Sequence, residues 1–184
     1  MLVLIYMIIV ITRPEFFEGE AKRISWLLTS GAADIIHVRK PLAGERQVEQ
    51  LLQELPPDVY HRLVLHDHHQ LALKYDLRGV HLNSRNPLPP DGFKGAVSIS
   101  CHSLEELAEC RQQPYAYMSL SPIFDSISKP GYHSAFTAQQ IAEARRQGLI
   151  DERVMALGGV TFDKINDVLK MGFGGAMILG DAWK

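Results

Sequence analysis

The chain has 184 residues, 46% of them hydrophobic, with 14 Gly and 10 Pro, which suits a single globular domain spanning 1–184 with a full-sized core. Its formal charge of −2, from 19 basic and 21 acidic side chains with no long run of either sign, gives no electrostatic footprint for nucleic acid or an anionic membrane. Small molecules are therefore the expected partners, and two cysteines that form no CxxC pair suit a reducing, cytoplasmic compartment.

The first apolar run, LVLIYMIIVIT, has no preceding basic region or small-residue cleavage site and is too short to span a bilayer. It reads as a buried strand over 7–12. Short apolar runs then alternate with segments carrying apolar residues at three- and four-residue spacing. The rhythm predicts a helix over 16–29, a strand over 35–38, a helix over 45–54, a strand over 62–65, a helix over 68–75 and a strand over 79–82. The next link, NSRNPLPPDGFKG, carries no clear helix. Strands at 97–101, 117–120, 154–157 and 176–179 follow, with helices at 104–112, 137–147 and 162–171 between them.

Eight buried strands with crossover helices predict an α/β chain folded as a compact (β/α)8 TIM barrel. The last run ends at GDAWK, so the final helix is expected to be truncated or missing. A second copy covering that side, as in a homodimer, is the corresponding expectation.

In this fold chemistry belongs at the C-terminal strand ends. His37 and Arg39 end the second strand, His66 and Asp67 the third, His81 and Asn83 the fourth, Ser100 and His102 the fifth, and Ser119 and Ser121 the sixth. Strand alternation puts Ser98, Ser100 and His102 on one face, opposite Val97, Ile99 and Cys101, and groups Ser119 with Ser121. Any one of these histidines could merely satisfy a loop hydrogen bond. Their convergence on five strand ends favours a site. His68 and His69 are expected on the first turn of the next helix, and no metal-ligand spacing such as HExxH marks a zinc site.

Gly158 and Gly159, in ALGGVTFDK, let backbone N–H groups approach an anion, as does the ILGD turn at Leu179 and Gly180. These loops follow strands seven and eight, where the barrel commonly holds phosphate. The loop SPIFDSISKPGYHS carries Ser126, Ser128 and Lys129, a donor-rich group able to grip a second anion, or else an ordinary solvated loop.

IIHVRK, ISCHSLEE, SPIFDSISKPG, MALGGVT and the closing GAMILG together resemble the thiamine phosphate synthase/TenI family, in order and across nearly the whole chain. The resemblance implies a thiamine-biosynthesis barrel that binds a small thiazole phosphate. One branch joins a pyrimidine diphosphate to thiazole phosphate with Mg2+. The other moves a proton to aromatise thiazole carboxylate phosphate and needs no cofactor. Synthases typically show QxRxK on strand two, Asn-Asp after strand three and a further Asp after strand four. Here His37, Arg39 and Pro41 stand in the first, His66 and Asp67 in the second, and Asn86 in the third. Asp67 is thus the remaining metal ligand if the synthase reading holds.

The tautomerase branch resembles HxRE on strand two and VHSLEE after strand five, matched by His37, Arg39 and the run His102 to Glu106, with Lys40 replacing the acid. That likeness assigns proton transfer to His102, an orienting role to His37, and substrate contacts to Arg39, Lys40, His66, Ser100, Ser126, Ser128 and Lys129. Thiazole tautomerase is the first reading and thiamine phosphate synthase the alternative. A non-catalytic phosphate-ligand-binding regulator is a third, of a different class. Ser103 and Glu106 have capping-box spacing, which explains the helix start.

Overall fold

The structure, a computed structural model, describes residues 6–125 and 134–184. Eight strands follow one another in sequence order around a closed barrel: β1 (Met7–Ile11), β2 (Ile35–Val38), β3 (Leu63–Leu65), β4 (Gly79–Leu82), β5 (Ala96–Cys101), β6 (Tyr117–Leu120), β7 (Val154–Ala156) and β8 (Gly175–Ile178). Pairings such as Ile11 with His37 and Leu120 with Ala156 are parallel, so the chain is a (β/α)8 barrel. Parallel strands are covered on both faces, which is why β2, β4, β6 and β8 are mostly apolar and buried throughout, with His37, His81 and Ser119 the polar exceptions.

The helices are α1 (Glu20–Thr29), α2 (Glu45–Gln53), α3 (Gln70–Lys74), α4 (Leu104–Cys110), α5 (Ala138–Arg146) and α6 (Ile165–Lys170). Each turns a narrow apolar stripe inward: Ile24, Leu27 and Leu28 on α1, and Val48, Leu51 and Leu52 on α2. Burying such a side chain contributes about 1.5–3 kcal/mol. The α5 start is fixed by reciprocal bonds, Gln140 N–H donating to Thr137 Oγ1 at 3.2 Å and Thr137 N–H to Gln140 Oε1 at 2.8 Å. The link from β4 to β5 carries no helix, and β8 is followed by a 3-10 turn, Gly180–Trp183.

Among the helix starts that differ from the sequence expectation, two turn on a single backbone conformation. α1 begins at Glu20 rather than at 16, because Gly19 at φ 80° breaks the helical path just before it. α3 begins at Gln70, because His68 sits at φ 54°. His69 is thus the residue preceding the helix, and His68 lies outside it.

Contacts divide the chain into two compact units, one formed by Ile9–Ser98 and the other by Ile99–Lys184 with the segment ending at Ile8. Among the described residues no helix is long and apolar enough to cross a membrane.

Candidate active site

In the second unit the strand-end polar residues pair in register. Ser119 Oγ donates to Ser100 Oγ at 3.0 Å, and two residues further along each strand His102 Nδ1 lies 3.1 Å from Ser121 Oγ. Both pairs join β5 to the end of β6, as alternation of the two strands requires. Ser119 is fully buried while His102 is exposed, so this polar row runs from the interior to the surface and ends on an imidazole.

The helix after His102 starts as its spacing predicts, with Glu106 N–H donating to Ser103 Oγ at 3.0 Å. The return bond differs from the usual box. Glu106 Oε2 accepts from the His102 backbone N–H, at 2.6 Å, so the cap also fixes the main chain of the histidine. Cys101, beside it, is wholly buried, and burial pushes its thiol well above the ordinary cysteine range, which leaves it a packing residue.

The same unit holds the glycine turn after β7. Gly158 and Gly159 sit at φ 91° and 63°, and a Cβ on Gly159 would collide with the Asp125 and Phe124 carbonyl oxygens. Lys164 Nζ donates to Gly159 O at 2.9 Å and lies 4.6 Å from the Phe124 ring centroid. Sequence reading missed this cation, whose only signal was the Lys in GGVTFDK. Asp181 Oδ2 accepts from Phe162 N–H at 3.0 Å, tying the turn after β8 to that after β7. Leu179 and Gly180 are exposed at that turn.

The first unit contains a buried histidine cluster. His37 Nδ1 lies 2.9 Å from His66 Nε2, the His66 and His81 rings stack at 4.3 Å, and His81 Nδ1 lies 2.8 Å from Ser98 Oγ. Burial, with the neighbouring histidines and cationic arginines, holds His37 and His66 well below the ordinary imidazole value and pushes His81 down to about 3, so all three are neutral at pH 7. The sequence offered His81 only as a strand-end residue. In a parallel barrel such ligand-like clusters arise from strand register, and their spacing follows loop and helix lengths.

Arg39 is half-buried, its main chain pinned by Thr12, whose Oγ1 accepts from Arg39 N–H at 2.9 Å. Lys40, expected at the substrate, points elsewhere. Its Nζ, 1% exposed as a residue, donates to both carboxylate oxygens of Glu20 at 2.7 and 2.8 Å and to the Arg13 and Glu15 carbonyls at 2.9 Å. Three donors are thereby used up within the fold. Ser126, Ser128 and Lys129 lie outside the described residues.

Asp67 bears on the Mg2+ that the family resemblance implies for a synthase. Its Oδ1 accepts from Arg85 Nε at 3.2 Å, Arg85 Nη2 at 2.9 Å and Asn86 Nδ2 at 3.1 Å, while Oδ2 is buried without a hydrogen-bond partner among the described residues. An Asx turn, in which Asn83 Oδ1 accepts from the Arg85 and Asn86 N–H groups, sets both residues over the carboxylate. Mg2+ usually takes one or two carboxylates with substrate phosphates, so Asp67 could serve as its one carboxylate through the unpartnered Oδ2, while the Arg85 guanidinium on Oδ1 weakens that donor.

The family model described as thiamine monophosphate synthase matches residues 8–180. A thiamine-phosphate synthase of Shouchella clausii is 28% identical over 174 residues, covering 88% of this chain and 81% of its own. One from Photorhabdus laumondii is 29% identical over 168 residues, covering 85% and 75%. A crystal structure of thiamine phosphate pyrophosphorylase from Bacteroides thetaiotaomicron is 41% identical, with a TM-score of 0.85 over 96% of this chain and 84% of that one. A Pyrococcus furiosus thiamine phosphate pyrophosphorylase shares the fold at 20% identity, with a TM-score of 0.71 over 96% and 90%.

Proposed function

The chain belongs to the thiamine monophosphate synthase family and is a thiamine-biosynthesis enzyme, and within that family we propose that it is a thiazole tautomerase acting on thiazole carboxylate phosphate. The observation that carries this reading is the exposed His102 imidazole held through Nδ1 by Ser121, 3.1 Å away. With Nδ1 on the hydroxyl, Nε2 is the nitrogen that takes a ring proton from one position and returns it to another. A single base that serves as its own conjugate acid meets the needs of a one-site tautomerisation, which consumes no net proton.

Supporting roles are proposed for residues of each unit. Gly158, Gly159, Leu179 and Gly180 offer main-chain donors to the phosphate, with Lys164 as the nearby cation. Arg39, whose guanidinium makes no hydrogen bond or ion pair among the described residues, serves the carboxylate. His37 orients the His66 ring, Ser100 offers a hydroxyl, and Ser126, Ser128 and Lys129 are proposed as substrate contacts on the sequence alone. No step needs a metal.

The second reading, a thiamine phosphate synthase, is favoured by the 41% identity to a chain that carries the pyrophosphorylase name. One experiment separates the two. The purified protein is given either the non-aromatic thiazole carboxylate phosphate, or pyrimidine diphosphate with thiazole phosphate and Mg2+. Aromatisation in the first reaction is expected; efficient thiamine phosphate formation in the second would overturn the tautomerase assignment. Ligand binding without turnover in either would mark a regulator.

A further inference from the structure

His37 and His81 stand on β2 and β4, His66 just past the end of β3 between them, and one nitrogen from each lies within 4.8 Å of the other two. The cluster is buried: His37 is 0%, His81 2% and His66 7% exposed. Ser98 Oγ lies 2.8 Å from His81 Nδ1 and 3.5 Å from the Val80 carbonyl oxygen. The hydroxyl therefore holds the ring at Nδ1, and Nε2 is the nitrogen on the far side. A hydrogen bond that fixes the tautomer from behind is what metal-binding histidines usually have.

From this juxtaposition we propose that His37, His66 and His81 form a three-histidine site for a divalent transition ion of the Zn2+ class, distinct from the proton-transfer site at His102. Imidazole nitrogen is the donor that Zn2+, Ni2+ and Cu2+ prefer, and neutral rings bind without first losing a proton. Tetrahedral zinc at about 2.0–2.1 Å from each nitrogen sets the nitrogens about 3.4 Å apart. Closing from 4.8 Å therefore takes a movement of roughly 1.4 Å or less. The stacked pair, His66 and His81, lies at an interplanar angle of 24°, so one ring turns about its terminal torsion, a soft coordinate for histidine. Two bonds to the ion then replace the His37 to His66 contact. Three histidines leave a fourth position for water or a ligand, and His66, the most exposed of them, marks the entrance at the end of β3.

The test is metal binding by tag-free protein stripped by chelator dialysis. Titration with Co2+ is expected to give the visible bands of a tetrahedral ion that saturate at one equivalent and are displaced by Zn2+. His81→Ala is expected to abolish them. Ser98→Ala, which leaves every ligand in place, is expected to weaken Zn2+ binding by about 10–100-fold. Circular dichroism checks that each variant folds, and if His81→Ala does not, Ser98→Ala carries the test alone. Absence of a one-equivalent tetrahedral spectrum in the native protein overturns the proposal. A spectrum unmoved in every folded variant overturns it equally, since the ion would then sit on other histidines. Neither outcome depends on turnover.

Discussion

Ser121 Oγ lies 3.1 Å from His102 Nδ1, joining the end of β6 to the residue just past β5. An exposed imidazole is thereby given one orientation, and Glu106 holds the same residue by its backbone N–H. Side chain and main chain are fixed by different neighbours, which is how a surface residue becomes a positioned one.

His102→Ala is expected to lower kcat for thiazole aromatisation by about 10²–10⁴-fold, the usual span for losing a general acid–base group. Ser121→Ala is expected to give a smaller loss, since it frees the ring without removing it. Steady-state kinetics across pH check both. A native-like rate for His102→Ala would end the assignment.

Gly159→Ala places a methyl against the Phe124 and Asp125 carbonyls in a left-handed conformation, and is expected to cost about 1–3 kcal/mol of stability. Lys164→Met keeps both glycines but removes the hydrogen bond to Gly159 O, and is expected to weaken inorganic phosphate or thiazole phosphate binding at a stability cost of about 1 kcal/mol. Calorimetric titration and urea unfolding separate the two effects.

The Glu20–Lys40 pair sits 0% to 2% exposed at its side chains. Burial pushes the Glu20 carboxyl up and the Lys40 ammonium down, against the attraction between them. Removing one member strands the other, so Glu20→Gln is expected to destabilise by about 3–5 kcal/mol. The apolar double replacement Glu20→Leu with Lys40→Met is expected to recover most of that loss in chemical denaturation.

The Lys184 ammonium and the Phe162 N–H hold the Asp181 carboxyl below its ordinary value of 3.8. Its folded pKa is thus lower than its unfolded one. The stabilisation is present above about pH 3.8 and is lost as pH falls through the folded value. Asp181→Asn is expected to flatten the acid limb of the stability curve, read by thermal melts from pH 5 downward. Lys184 is exposed, so raised salt is expected to shrink the difference.

All eight strands were legible because a parallel barrel buries both faces, and runs such as IIHV and GAMI signal that without help from tertiary context. The partnership of the β5 and β6 side chains followed from two-residue alternation. The Lys40 ion pair was not legible because local sequence places Lys40 beside Arg39 but is silent on Glu20, a residue of α1 that reaches it through the fold. The histidine cluster was hidden for a similar reason: His37, His66 and His81 meet only after β2, β3 and β4 are set in register. Helix starts at Gly19 and His68 turned on single backbone conformations that apolar periodicity does not report.

The Ser100–Ser119 and His102–Ser121 pairs each span 19 positions of the chain. That equality is the signature of a shared register, and it makes the location of the His102 ring a property of strand alignment. A residue inserted in the link between α4 and β6 changes the count but preserves the ladder. A residue deleted inside β5 turns His102 to the opposite face of the strand while leaving its neighbours chemically intact. Length variation in the connections is therefore expected to be benign here, and the strands themselves are where the enzyme can be silenced without altering a functional group.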